Sequence, residues 1–151
     1  MVPMVSVEIS TPNSVIQPML KVQNAAARLI LRAPRHQNCI PLRQQLHWLP
    51  VSERIKYIFF ACMCYNAITG SAPSYLSELL HLYRPSRSLR SSSQTRMLKI
   101  QRFNRKTHGF RTFSHFGPHI WNNLPQDIRH SATLSSFKSQ LKTFIFSEYF
   151  S

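Results

Sequence analysis

Apolar positions in this chain recur in short bursts at helical spacing. From Met19 to Ala33, Val22, Ala25, Ala26, Leu29 and Ala33 follow an i, i+3, i+4, i+7 pattern that Pro34 ends, which predicts an amphipathic helix. Lys21, Asn24, Arg28 and Arg32 fall along its other side, so the apolar face is expected to pack and the basic face to meet solvent or phosphate. The stretch from Pro41 to Pro50 predicts a short helix closed by a proline turn that carries Trp48. Ser52 is an expected N-cap for the next helix, where Ile55, Ile58, Phe59, Cys62, Tyr65 and Ile68 form a broad apolar surface running to Gly70, a C-cap residue. That helix is expected to be nearly surrounded. Pro73 to Leu80 predicts a further short helix with Pro73 in its first turn.

Past Glu78 the pattern changes. Ser86, Ser88, Ser91, Ser92 and Ser93 predict a loop, and the alternation from Met97 to Phe103 predicts a short strand with Leu98 and Ile100 on one face. Phe110, Phe113, Phe116 and Trp121 are core candidates, and Pro118 is expected to start a short helix that stops before Pro125. Leu134, Phe137, Leu141, Phe144 and Ile145 describe a terminal helix with Thr133 as N-cap and Lys138 and Lys142 facing outward. Residues 1–18 carry Pro3, Pro12 and Pro18 without a period and read as a poorly ordered, disordered leader. The expected fold is therefore mainly α: a single small domain, residues 19–151, of several short helices with one small β element.

Composition adds a partner to this picture. Nineteen Lys and Arg oppose five acids among 151 residues, a formal charge of +14 that self-repels unless something anionic binds. The charge is concentrated. No acid lies between Glu78 and Asp127, while Arg84, Arg87, Arg90, Arg96, Lys99, Arg102, Arg105, Lys106 and Arg111 crowd the segment 84–111. Interleaved with Phe103 and Phe110, these cations suit phosphate neutralisation and base stacking, and the planar fork of arginine suits phosphate better than lysine does. A wet charged loop is the bland alternative, and the complete lack of acids favours polyanion contact. Arg28 and Arg32 are secondary candidates, for which an ordinary polar helix face is an equal reading. Sequence-specific reading of bases is not implied.

The blocks LKVQNAAARL from Leu20 to Leu29, LHWLPV from Leu46 to Val51 with Arg54 and Ile55, PSYLSELL from Pro73 to Leu80, RSLRS from Arg87 to Ser91, and WNNLP from Trp121 to Pro125 running on to SFKSQLK at Ser136–Lys142 occur in order. In order and spacing they resemble the segment that follows the polymerase core in LINE-type non-LTR retrotransposon reverse transcriptases. The likeness covers roughly residues 20–147, and ordered blocks are more specific than one short motif. It implies a C-terminal accessory domain that once sat beside its polymerase. Residues 1–18 do not match what precedes that segment in the family, so the chain is expected to start from a new or truncated reading frame.

The family's polymerase holds two metal ions with a Tyr-X-Asp-Asp motif and a further Asp, whereas this chain has one aspartate, Asp127. Neither polymerase nor endonuclease activity is expected, and no cofactor. His36, Cys39 and His47 lack the paired spacing of a zinc site, and the serines near the cations have no carboxylate to orient a His base. Trp48 and Trp121, each beside Leu and Pro, are expected to pack in the core. Cys39, Cys62 and Cys64, an odd number, fit a reducing, intracellular compartment, nuclear or cytoplasmic. The N-terminus has no signal-peptide pattern. The longest apolar run, Tyr57 to Tyr65, is nine residues against the about 20 that a membrane span needs. The competing readings are a protein-interaction or inert remnant that packed on the polymerase thumb and, last, membrane-surface association through Phe144, Phe146, Tyr149 and Phe150.

Overall fold

Pro50, Pro73 and Pro125 each stand immediately before a helix with φ between −55° and −53° and ψ between 146° and 149°. The pyrrolidine ring fixes that φ, so each proline delivers the chain to a helix start in an extended conformation. The computed structural model describes residues 13–84, 96–101 and 113–151. Within them run α1 (Asn13–Ile30), α2 (Cys39–Gln45), α3 (Val51–Glu53), a π-helical stretch (Arg54–Phe59), α4 (Phe60–Ile68), α5 (Ser74–Ser77), α6 (Phe113–Asn123), α7 (Gln126–Arg129) and α8 (Leu134–Phe150). The fold is mainly helical and forms a single small domain.

The core lies where α4, α6 and α8 meet. Phe137, Leu141 and Ile145 of α8 are fully buried, together with Trp121 of α6 and Cys64 of α4. Their spacing of four residues is the apolar stripe anticipated for the terminal helix, whose N-cap Thr133 accepts from the Ser136 N–H at 3.2 Å. Tyr65 stacks on Phe137 with ring centroids 4.6 Å apart, and its hydroxyl donates to the Ser131 carbonyl at 3.1 Å. Each such buried side chain contributes about 1.5–3 kcal/mol relative to exposure. Helix α6 crosses α4 closely at Gly117. A Cβ there would stand 2.9 Å from Cys64 Sγ.

The anticipated helix after Pro50 is continuous from Val51 to Ile68, and its cap and phase differ from expectation. Pro50, not Ser52, is the N-cap, because the proline already sets the extended entry. The π-helical turn Arg54–Phe59 widens the helix and shifts every later side chain. Tyr65 of the anticipated face is buried and Ile58, Cys62 and Ile68 pack against the core, but Ala61, Cys64 and Ala67 are buried beside them and Phe59 is 59% exposed. Gly70 follows with φ 75°, the left-handed conformation expected of a residue just past a helix end.

Helix α1 begins at Asn13, inside the segment read as a leader, and runs through Pro18; residues 1–12 lie outside the described residues. Its orientation reverses the expectation. Ile16 and Ala27 are buried, while Val22 is 70% and Leu29 80% exposed. Polar tertiary bonds set this roll. Gln23 donates from Nε2 to the Leu49 carbonyl at 2.8 Å and accepts from the Val51 N–H at 3.2 Å; Asn24 Oδ1 accepts from Arg43 Nη1 at 2.7 Å. Arg43 is buried on α2, whose N-cap Asn38 accepts from the Ile40 N–H at 3.0 Å.

Among the described residues the anticipated strand reduces to an isolated antiparallel bridge between Leu82 and Leu98. Leu98 is buried but Ile100 is exposed, because the pairing does not last long enough to impose alternation. Pro118 lies inside α6 and does not start it, and its ring is fully buried. The helix of Pro73–Leu80 is confined to Ser74–Ser77, with Pro73 as its N-cap. Phe113 and Phe116 pack in or against the core as anticipated; Phe110 lies outside the described residues.

Candidate nucleic-acid interface

The bridge holds part of the basic segment against the core. Tyr83 N–H donates to the Met97 carbonyl at 2.8 Å, and Lys99 N–H donates to the His81 carbonyl at 2.7 Å. In such an antiparallel pair the backbone groups of Leu98 point away from Leu82. They meet Asn122 of α6, whose Oδ1 accepts from Leu98 N–H and whose Nδ2 donates to the Leu98 carbonyl, both at 2.8 Å. Trp121 Nε1 donates to the Arg96 carbonyl at 2.6 Å, holding a residue whose φ of 40° is rare outside glycine.

Arg84, Arg96 and Lys99 thereby sit next to the bridge, all exposed, alongside exposed Leu82, Tyr83 and Ile100. Arg96 Nη1 stands at a long 3.5 Å from the Arg129 carbonyl. Arg129 itself is buried: Nε donates to the Leu124 carbonyl at 3.1 Å, Nη1 lies 2.7 Å from Met97 Sδ, and burial lowers its pKa. It buttresses the segment from within. The cationic heads are thus carried on backbone that is already ordered, which reduces the entropy lost when an anion binds. Arg87, Arg90, Arg102, Arg105, Lys106 and Arg111 lie outside the described residues.

The secondary candidates separate. Arg28 is half-buried, with Nη2 donating to the Gln37 carbonyl at 3.3 Å and Nε enclosed, so its fork closes the turn after α1. Arg32 is exposed, in a left-handed conformation with φ 50°. Trp121 packs in the core as anticipated, whereas Trp48 is only half-buried and lines a cavity between α1, α3 and α8. That cavity reveals cations missed as a group in the sequence, Arg54 and Lys142 beside Met19 and Ile58. Their convergence depends on tertiary packing and leaves no linear motif.

Away from this face, burial shifts the pKa of several further groups. Burial raises the thiol pKa of Cys64, with Cys62 adding to the effect; Cys62 is raised by burial and partly restored by Lys138. His119 is lowered, by burial first and then by His115, whose ring stands 4.7 Å away. Among the described residues no three His, Cys, Asp or Glu come together as a metal site. No helix among them is long and apolar enough to cross a membrane. The chain matches no family model, and no curated protein or solved structure matches it.

Proposed function

We propose that this chain is a noncatalytic, nucleic-acid-contacting domain descended from the segment that follows the polymerase core of LINE-type reverse transcriptases. The observation that supports it is the acid-free window between Glu78 and Asp127, whose described cations, Arg84, Arg96 and Lys99, stand exposed beside a bridge tied to the core. Arginine and lysine on such a frame neutralise phosphates and release counterions, which favours RNA or DNA without regard to sequence. Exposed Tyr83 offers a ring on which an unpaired base can stack. No catalytic step is assigned, since one aspartate cannot hold the ion pair of phosphoryl transfer.

The test is a titration of the full chain with labelled single-stranded RNA and duplex DNA at several salt concentrations. Helix α1 begins within the leader region, so removing residues 1–18 would cut into it. Affinity is expected to fall log-linearly with salt. A variant with Arg84, Arg87, Arg90, Arg96, Arg102 and Arg105 changed to Ala, matched by circular dichroism, is expected to lose binding. Equal binding by the variant, or none by the parent chain, overturns the reading.

A further inference from the structure

The apolar side of α1 that faces outward is ordered. Val15, Met19, Val22, Ala26 and Leu29 succeed one another at alternating steps of four and three residues, the spacing of a coiled-coil seam. Met19, Val22 and Ala26 form one wall of a cavity of ≈ 690 Å3. A second cavity of ≈ 720 Å3 shares Met19, Val51, Arg54 and Ile58 with the first and extends to Phe59 and Cys62. The two make one open groove between α1, the π-helical turn and α8. Among the described residues its lining charges have a single sign: Arg54 lines both cavities, Lys142 the first and Lys138 the second. Lys138 and Lys142 are four residues apart, one turn, on α8.

We propose that this groove receives an acidic amphipathic helix of a partner protein, its aliphatic stripe against the α1 seam and its carboxylates toward Arg54, Lys138 and Lys142. The proposal goes beyond the nucleic-acid reading and does not depend on it, because Arg84, Arg96 and Lys99 do not line either cavity. Charge complementarity chooses the occupant. A second copy of a chain carrying +14 would bring like charge to a cationic rim. A single strand binds best on stacked ring platforms, and the groove is mainly aliphatic apart from His47, Trp48 and Phe59. A bilayer meets projecting apolar faces, whereas this surface is concave. A helix in a groove, with apolar anchors at i, i+3, i+4 and i+7, matches both the shape and the seam.

The test measures fluorescence anisotropy of a labelled designed helix of about 18 residues, Leu at its a and d positions and Glu at e and g, titrated with the full chain. Two control peptides carry Lys for Glu, or the same composition with its period scrambled. The Glu helix is expected to bind, and each control to bind at least about tenfold more weakly. Val22→Asp, and separately Lys138→Ala with Lys142→Ala, are expected to weaken it about tenfold with unchanged circular dichroism, since these side chains are exposed. The Arg84, Arg96 and Lys99 to Ala variant is expected to bind the helix normally, so failure here and failure of the nucleic-acid reading are separable. Equal binding of the scrambled peptide, indifference to Val22→Asp, or self-association or vesicle binding that Val22→Asp abolishes each overturns the proposal.

Discussion

The side chain of Asn122 does for Leu98 what a third strand would do: it pairs with both backbone groups, at 2.8 Å each, and leaves neither to water. Removing it strands a donor and an acceptor beside a buried residue. Asn122→Ala is expected to cost about 2–3 kcal/mol. Asn122→Asp keeps the acceptor but turns a carboxylate oxygen toward the Leu98 carbonyl, so it destabilises as well. Urea unfolding with an unchanged m-value measures both; stability within error of the parent chain would show that the segment is held by Leu98 packing alone.

Gly117 permits the close crossing of α6 over α4. A Cβ would meet Cys64 Sγ at 2.9 Å and Phe113 Cε2 at 3.2 Å. Gly117→Ala is expected to destabilise by about 1–3 kcal/mol through overpacking. Adding Cys64→Ala removes the closer obstacle, so the pair should be less destabilised than the sum of the single changes. Simple additivity in that cycle would place the strain elsewhere.

His119 makes stability depend on pH. Its folded pKa lies below the ordinary 6.5 because burial and His115 disfavour the charged ring. In the window between the two values the unfolded chain binds more protons, so stability is full above 6.5 and falls as the pH drops through the folded value. Thermal melts between about pH 7.5 and pH 5 should show this decline, reduced in His119→Gln. A profile identical in the variant contradicts it.

The thiols should react in order. Cys64 is fully buried with its pKa raised, so it is expected to alkylate only as the chain unfolds globally. Cys62 is half-buried and Lys138 draws its pKa down again, so it should label earlier, and Lys138→Ala should slow it at about pH 8. Mass mapping after iodoacetamide, with and without urea, reads both.

For the basic face, changing Arg84, Arg96 and Lys99 to Ala is expected to reduce the slope of log affinity against log salt by about 0.9 for each duplex phosphate that these side chains neutralise. Affinity should fall to the same extent on every sequence. An unaltered slope would exclude these cations from phosphate binding.

Much of the helical architecture was legible in the chain, because apolar spacing and proline positions act locally. Thr133, Phe137, Leu141 and Ile145 declare α8, and Gly70 declares a helix end. The roll of α1 was not legible, since the Gln23 and Asn24 bonds that set it join residues 19 to 28 positions apart. An apolar stripe was visible there, but periodicity cannot say whether a stripe meets its own core or faces outward. Asn122 had no local signature either: its partner lies 24 residues upstream. The charge window was plain in composition, yet its tie to the core depends on Trp121 and Asn122. The groove cations come from separate helices and converge only on folding.

The π-helical turn at Arg54–Phe59 works as a phase shifter between two halves of one rod. A rod of uniform pitch would keep all its apolar side chains in step and commit them to one neighbour. Here Arg54 and Ile55 of the upstream half line the groove, Ala61, Cys64 and Tyr65 of the downstream half are buried in the core, and Ile58 and Cys62, on either side of the shift, touch both. Deleting one residue from the turn would bring the halves back into step and force them to compete for a single direction. A point substitution at either face does not have that effect.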